Sequence, residues 1–163
     1  MNATVTMSND FSLDQNFATD PTKVYRTILG ASSSSDHYKQ VEVLINQSAV
    51  TGAAQTVRYE LVERMLDPVT GLELLSPIPV SITVIAGTAV QVAPNGGTAV
   101  TVPVGAVSQP VASATLVSAT TGTIHLRTVY NPSGAVFLRV VGTVSPGTIT
   151  GRARFITGNL GVN

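Results

Sequence analysis

Residues 111–156 read VASATLVSATTGTIHLRTVYNPSGAVFLRVVGTVSPGTITGRARFI, and this stretch decides the fold. It consists of short runs rich in Val, Ile and Thr, which favour β-strands, and the runs are separated by Gly, Pro, Asn and Ser, which favour turns. Strands are predicted over residues 111–118, 123–130, 135–141 and 148–156. A spacing of about 8–12 residues between such runs is typical of an all-β, antiparallel sandwich or barrel.

The same pattern extends towards the N-terminus. Further strands are predicted over residues 24–29, 41–45, 80–85, 88–92 and 98–104. Asn95-Gly96 is a favoured hairpin turn and lies between the last two of these runs. Pro103 lacks the N–H group that a central strand needs, so 98–104 is predicted to be an edge strand.

Residues 52–66 allow two interpretations. Val57, Leu61, Met65 and Leu66 fit one face of a helix, whereas Val57, Tyr59 and Leu61 alternate as in a strand. The sequence DPVTG at 67–71 favours a turn, because Pro presets the second turn position and Gly accepts a positive φ at the end. We favour a β-hairpin over a helix here.

Residues 1–23 differ in composition from the rest of the chain. They are mostly polar and offer Phe11, Leu13 and Phe17 as apolar anchors. Two interpretations stay open: a disordered terminus, or an extended N-terminal arm that packs these anchors onto a neighbouring subunit. In the second, residues 24–163 form the β domain, and deleting residues 1–20 leaves that domain folded but weakens assembly.

The NPSG sequence at 131–134 predicts a hairpin between the strands on either side. Pro and Ser suit the centre of a type I turn and Gly suits the following bulge position. This register places Leu126 opposite Val140 and Arg127 opposite Arg139, with the two arginines on the face away from the apolar side chains. Replacing both arginines with Ser is then expected to cost little stability.

Charge is divided unevenly along the chain. All nine carboxylate side chains lie within residues 1–73, and residues 76–163 hold four arginines as their only formal charges. Two interpretations of these arginines stay open: a solvated outer face, or a basic patch that meets acidic groups of a neighbour's arm or of a host surface. The four arginines, candidate interface residues together with the three arm anchors, are Arg127, Arg139, Arg152 and Arg154.

The composition argues against most enzymes and against bound cofactors. General acid–base and metal chemistry need positioned carboxylates, histidines or thiols, and this chain has no Cys and only His37 and His125 as histidines.

Charged residues make up 11% of the chain, well below the roughly 25% of a typical globular protein. A surface so poor in charge predicts that other subunits cover part of it. Four arginines are too few for nucleic acid, and the runs are too short to span a membrane.

The stretch quoted above is rich in Thr, Gly and Val. In this respect it resembles the small β-domains of tailed-phage virion proteins, and so does most of the chain around it. These include capsid decoration (cement) proteins and tail or fibre accessories. The resemblance implies an oligomer, often a trimer, whose terminal arm clamps capsid subunits in a virion assembled in the host cytoplasm; the sequence start also lacks the pattern of a secretion signal. The alternative is a ligand-binding β-module, such as a carbohydrate- or receptor-binding domain.

Overall fold

The computed structural model describes residues 6–26, 40–51, 56–87, 90–93, 100–108, 110–111, 113–117, 122–129, 135–142 and 148–158 of the 163-residue chain. These residues form twelve strands and no helix, so the all-β prediction is confirmed. The strands are β1 (Thr6–Asn16), β2 (Thr22–Tyr25), β3 (Gln40–Thr51), β4 (Thr56–Leu66), β5 (Glu73–Pro77), β6 (Val80–Gly87), β7 (Val90–Ala93), β8 (Val100–Val102), β9 (Ser113–Val117), β10 (Gly122–Thr128), β11 (Val136–Gly142) and β12 (Thr148–Gly158).

The strands form two antiparallel sheets that pack as a sandwich. Sheet A has the order β1-β12-β3-β10-β6, and sheet B has the order β2-β11-β4-β9-β7-β8, with β5 beside the end of β4. Alternate side chains of each sheet point into one shared core, for example Val43 and Leu126 from sheet A and Tyr59 and Leu138 from sheet B. Each large side chain buried in this way contributes about 1.5–3 kcal/mol, so the facing sheets hold each other in place.

The N-terminal segment is extended and belongs to the sandwich. β1 pairs with β12 along its whole length and forms one edge of sheet A. Phe11, Leu13 and Phe17 are 8%, 1% and 2% exposed and lie in the core of their own chain. These three side chains are therefore not free to anchor a neighbour, and β2 crosses the predicted boundary at residue 23 to pair with β11. The physical reason is the two-residue alternation, which puts all three on the inner face.

Polar contacts close the flank of the sandwich between β1 and sheet B. The Gln15 side-chain amide donates to the carbonyl oxygens of Asp20 and Val140 at 2.8 and 3.2 Å, although its own side-chain oxygen has no partner. The Asp14 amide donates to the Tyr25 hydroxyl at 3.2 Å. Burial raises the pKa of Tyr25 to about 12, so this hydroxyl stays protonated at neutral pH. β1 is thus bonded to both sheets.

The predicted pairing of the strands on either side of NPSG is wrong. β10 pairs with β3 and β6 in sheet A, whereas β11 pairs with β4 and β2 in sheet B. Arg127 therefore does not face Arg139, and the two residues lie on opposite outer surfaces of the sandwich. The NPSG residues themselves lie outside the described residues. The inward direction of Leu126 and Leu138 was nevertheless correct, because alternation determines the face and leaves the partner strand open.

The predicted hairpin at DPVTG is confirmed as the β4–β5 pair. The Asp67 carboxylate accepts hydrogen bonds from the amides of Val69 and Thr70 at 2.7 and 2.9 Å, and Gly71 has a φ of 68°. The two amide hydrogen bonds hold the pKa of Asp67 below its usual value. The turn is thus fixed by its own side chain and by the one residue type that accepts this φ without strain.

Candidate interaction surfaces

Three of the four arginines of residues 76–163 form ion pairs with acids from residues 1–75 of the same chain. Arg154 donates to Asp10 with Nη2–Oδ2 at 2.9 Å, and this contact lowers the pKa of Asp10. Arg127 Nε lies 3.0 Å from Glu42 Oε1. Arg139 Nη2 lies 2.6 Å from a Glu60 carboxylate oxygen. The opposite charges of the two halves are therefore largely neutralised within one chain.

The predicted basic patch is not assembled as one surface. Arg127, Arg152 and Arg154 lie on the outer face of sheet A, whereas Arg139 lies on the outer face of sheet B, because Leu138 and Val140 on either side of it point into the core. Within sheet A, the sequence correctly put Arg152 and Arg154 on the same face. Arg127 and Arg154 form ion pairs with Glu42 and Asp10, so the outer face of sheet A has little net charge.

Arg152 differs from the other arginines of residues 76–163. Its position in β12 is opposite Ser12 of β1 and Asn46 of β3, and it is exposed. Among the described residues it forms no ion pair, although its charge contributes to lowering the pKa of Asp10. No described carboxylate of the chain therefore occupies Arg152, which leaves it able to bind a carboxylate of another molecule.

Glu42 joins two strands on the outer face of sheet A. One carboxylate oxygen lies 2.9 Å from His125 Nε2, and the other lies 3.0 Å from Arg127 Nε. No group of three or more His, Cys, Asp or Glu side chains within the described ranges is placed to hold a metal ion, and His37 lies outside those ranges. The cluster therefore links β3 to β10.

Glu60 is the most buried carboxylate of the ion pairs. Its side chain is 8% exposed, and that of Arg139 is 21% exposed. Arg58 Nε lies 2.9 Å from the second Glu60 oxygen, but the angle is too poor for a hydrogen bond, so that nitrogen has no hydrogen-bond partner. Nothing in the sequence singled out Glu60 as a buried ion-pair residue, because its burial follows from the packing of β4 beside β11.

We expect Arg139→Ser to destabilise the protein more than Arg127→Ser. The Arg139 change leaves Glu60 buried with one poorly oriented cation, which costs about 2 kcal/mol. The Arg127 side chain is 50% exposed, and losing it costs less than about 1 kcal/mol. Urea unfolding of the two single variants measures the difference. Equal losses would contradict the role assigned to Glu60, and equal losses below about 1 kcal/mol would support the expectation that both changes are mild.

The β4–β5 hairpin presents the largest group of exposed apolar side chains that are close in sequence in the described part of the chain. We call Met65, Leu66, Val69, Leu72 and Leu74 the apolar hairpin tip; they are 45%, 56%, 90%, 66% and 51% exposed. Met65 and Leu74 are direct cross-strand partners. β4 continues with apolar residues beyond Leu61, which is buried in the core. The sequence shows this continuation, but only the structure shows that the described strands of sheet A do not cover it.

An ion-pair network holds this hairpin next to its turn. Arg26, at the end of β2, donates to both Glu73 oxygens, and Arg64 Nε lies 3.2 Å from Glu73. The Arg26 guanidinium also lies 5.3 Å from the centre of the Phe137 ring. The Arg26 hydrogen bonds lower the pKa of Glu73, so the network is present at neutral pH. The hairpin is therefore fixed within its turn by Asp67 and directly after the turn by Glu73.

Comparison with known proteins identifies no relative. No protein-family model, no curated protein and no solved structure matches this chain. Across the described ranges there is also no helix long and apolar enough to cross a membrane.

Proposed function

We propose that this chain is a non-enzymatic structural component of a virion, and that it stabilises a capsid by docking on the coat proteins. The observation that carries the proposal is the apolar hairpin tip, which places five large apolar side chains in water. Covering such a surface contributes about 25 cal/mol per Å² of buried apolar area, before the cost of association is subtracted. A subunit of a larger assembly needs this kind of surface.

The stiffness of the hairpin supports a docking role. A flexible loop loses conformational entropy when a partner orders it, and this loss reduces the affinity. Here the Asp67 hydrogen bonds and the Arg26–Glu73–Arg64 network already order the hairpin in the free chain. Less binding free energy is then lost in ordering the hairpin, so the apolar hairpin tip binds the neighbouring subunit more tightly.

The ion pairs indicate which force drives docking. Because Arg127, Arg139 and Arg154 hold carboxylates of their own chain, few charges remain for a partner. Docking through the apolar hairpin tip should therefore depend weakly on ionic strength, unlike docking through a basic patch. The same neutral surface suits self-association.

The alternative function, a carbohydrate- or receptor-binding module, usually depends on exposed aromatic rings. The aromatic side chains whose burial is described are all inside the protein: Phe11, Phe17, Tyr25, Tyr59, Phe137 and Phe155. The exposed apolar groups of the described residues are aliphatic instead. Their chemistry favours contact with another protein over stacking on a sugar.

The proposal is tested on particles that contain or lack this chain. We expect quantitative mass spectrometry to find the chain in purified particles at a fixed ratio to the coat protein. Purified chain added to particles that lack it should co-sediment with them and raise the temperature at which they open. The double variant Leu72→Ser/Leu74→Ser should lose both effects, because it removes the two apolar side chains that follow the turn.

Val100→Ser/Val129→Ser is the matched control, since these side chains are 55% and 47% exposed but lie outside the hairpin. Each surface change should cost no more than about 0.5 kcal/mol, so both variants should remain folded. Absence of the chain from purified particles would disprove the proposal. Equal binding by the two variants would remove the apolar hairpin tip from it. Binding to glycans with no binding to particles would establish the alternative function instead.

A further inference from the structure

The edges of the two sheets are protected unequally. Hydrogen bonds from residues 105–111 cover β6, the far edge of sheet A. The edges of sheet B are short: β2 has four residues, β5 has five and ends at Pro77, and β8 has three and precedes Pro103. β1 is an edge strand of eleven residues with neither Pro nor Lys. Natural proteins block long edges because another strand can pair with them. Among the described residues, the part of β1 before Leu13 is the edge that is left open.

The backbone groups of β1 that face this open edge can be identified. The Asn16 carbonyl accepts hydrogen bonds from the amides of Thr19 and Asp20, and the Asp14 amide and carbonyl bond the Tyr25 hydroxyl and the Lys23 ammonium group. These groups point away from β12. The same orientation recurs every second residue, at Ser12 and Asp10. In the described part of the chain, no group bonds the outward amides and carbonyls of Asp10 and Ser12.

We propose that β1 pairs antiparallel with β1 of a second copy of this chain, about a two-fold axis at Phe11. Asp10 of each chain then stands opposite Ser12 of the other. Each of these two residue pairs exchanges two backbone hydrogen bonds, so four bonds form at the centre. The four outward groups of Asp10 and Ser12 in each chain gain a partner, and the occupied groups of Asp14 end the ladder on either side.

Neighbouring registers fit less well. A two-fold axis at Asp10 places two carboxylates directly opposite each other, which is unfavourable. An axis at Ser12 places Asp10 opposite Asp14, whose backbone groups already bond Tyr25 and Lys23. The axis at Phe11 avoids facing carboxylates and pairs the open groups of Asp10 and Ser12 with each other. Asp14 then stands opposite Ser8 of the other chain, at the end of the ladder instead of at its centre. It also makes the two Phe11 side chains neighbours on the inner face, next to the Tyr25 and Phe155 rings that each already contacts at 5.5 Å.

Arg152 supplies charge complementarity for the second copy. It lies beside Ser12 on the outer face, and in the proposed register Asp10 of the second copy lies on the other side of Ser12. The long Arg152 side chain crosses the small Ser12 side chain and meets that carboxylate. Two equivalent ion pairs form across the axis. This inference depends on the proposed function only in that both describe a chain that works in an assembly.

The test is the mass of the purified full chain measured by sedimentation over a range of concentrations. We expect a reversible dimer, because a single strand pair buries less area than obligate interfaces do. Ser12→Pro should leave a monomer throughout that range, since it removes an outward N–H and adds a ring at the edge while the ladder to β12 is kept. Arg152→Ser should weaken dimerisation roughly tenfold and reduce its salt dependence.

Ser12→Ala is the matched control, because it keeps the N–H group and should dimerise as the wild type does. A second measurement does not depend on the proline variant folding. The chain has no cysteine, so Asp10→Cys and Ser12→Cys chains can be mixed and oxidised without background. Directly opposite residues are within disulfide reach, and we expect the mixed pair to cross-link faster than either variant alone.

A dimer that Ser12→Pro abolishes, with preferential mixed cross-linking, would support the proposal. Three outcomes would disprove it: a monomer at all concentrations, a trimer that Ser12→Pro does not change, or cross-linking without preference for the mixed pair. None of them decides the proposed function, because particle binding depends on the apolar hairpin tip. Loss of particle binding in the hairpin variant while the dimer persists would separate the two surfaces.

Discussion

Deletion of residues 1–20 is expected to abolish the cooperative unfolding transition of this protein. The deletion removes β1 and with it three core side chains, Phe11, Leu13 and Phe17. Truncation of one such side chain costs about 2–5 kcal/mol, and the loss of all three, with the whole β1–β12 ladder, exceeds a typical total stability of about 5–15 kcal/mol. This outcome is the opposite of what the sequence suggested for a detachable arm.

Near-ultraviolet circular dichroism and thermal unfolding of the truncated chain measure the effect. A chain that lacks only residues 1–5, which precede β1, is the control and should unfold cooperatively. A synthetic peptide of residues 1–20, added to the truncated chain, should restore the transition by taking the place of β1. Cooperative unfolding of the truncated chain alone would show that β1 is a dispensable arm after all.

Gly151→Ala is expected to destabilise the protein by about 3 kcal/mol or more, because of a clash between two backbones. Gly151 lies in β12 where the register to β3 shifts, opposite Gln47. A Cβ atom there would overlap the Asn46 carbonyl oxygen and lie 3.1 Å from Gln47 Cα. Neither neighbour is a flexible side chain, so β3 or β12 must move in the middle of sheet A.

Urea unfolding of Gly151→Ala measures this cost, with Gly122→Ala as the matched control. Gly122 is also a strand glycine of sheet A, but an added Cβ would be 3.3 Å from its nearest neighbour, the Ala86 carbonyl oxygen. We expect a loss of about 1 kcal/mol or less at this position. If both variants lose the same stability, the close approach at the register shift is not what requires glycine at 151.

The direction in which side chains point could be predicted from the sequence. Alternation gave the inward direction of Leu126 and Leu138, and turn chemistry gave the β4–β5 hairpin. The β7–β8 pairing also agrees with the hairpin expected around Asn95-Gly96, although those two residues lie outside the described ranges. These features depend on residues close together in the chain, which is why local patterns were sufficient.

Strand partners could not be predicted in the same way. β10 and β11 follow each other in sequence with a good turn sequence between them, yet they belong to different sheets. The alternation of inward and outward side chains is the same whichever strand lies alongside, so it carries no information about the partner strand. β1 was missed for a different reason. Its inner positions alternate correctly, but Gln15 occupies one of them and the polar outer positions resemble a solvated arm.

The partners of the arginines could not be predicted from the sequence either. The imbalance of charge between the two halves was visible in the sequence, and the structure shows that Glu42, Glu60 and Asp10 take up three of the four arginines. Which acid meets which arginine depends on sheet order, and so does the isolation of Arg152. The exposure of Met65 and Leu74 likewise depends on where sheet A ends.

The pairing of β1 with β12 has a consequence for synthesis in the cell. The ribosome makes residues 6–16 early and their partners, residues 148–158, late. At about 5–20 residues per second, β1 waits on the order of ten seconds for the strand that it pairs with. Until then Phe11 and Phe17 have no complete core to enter, so the nascent chain exposes them to chaperones. Final closure of the sandwich therefore follows the translation of β12, and codons that slow the ribosome before residue 148 would lengthen this exposed period.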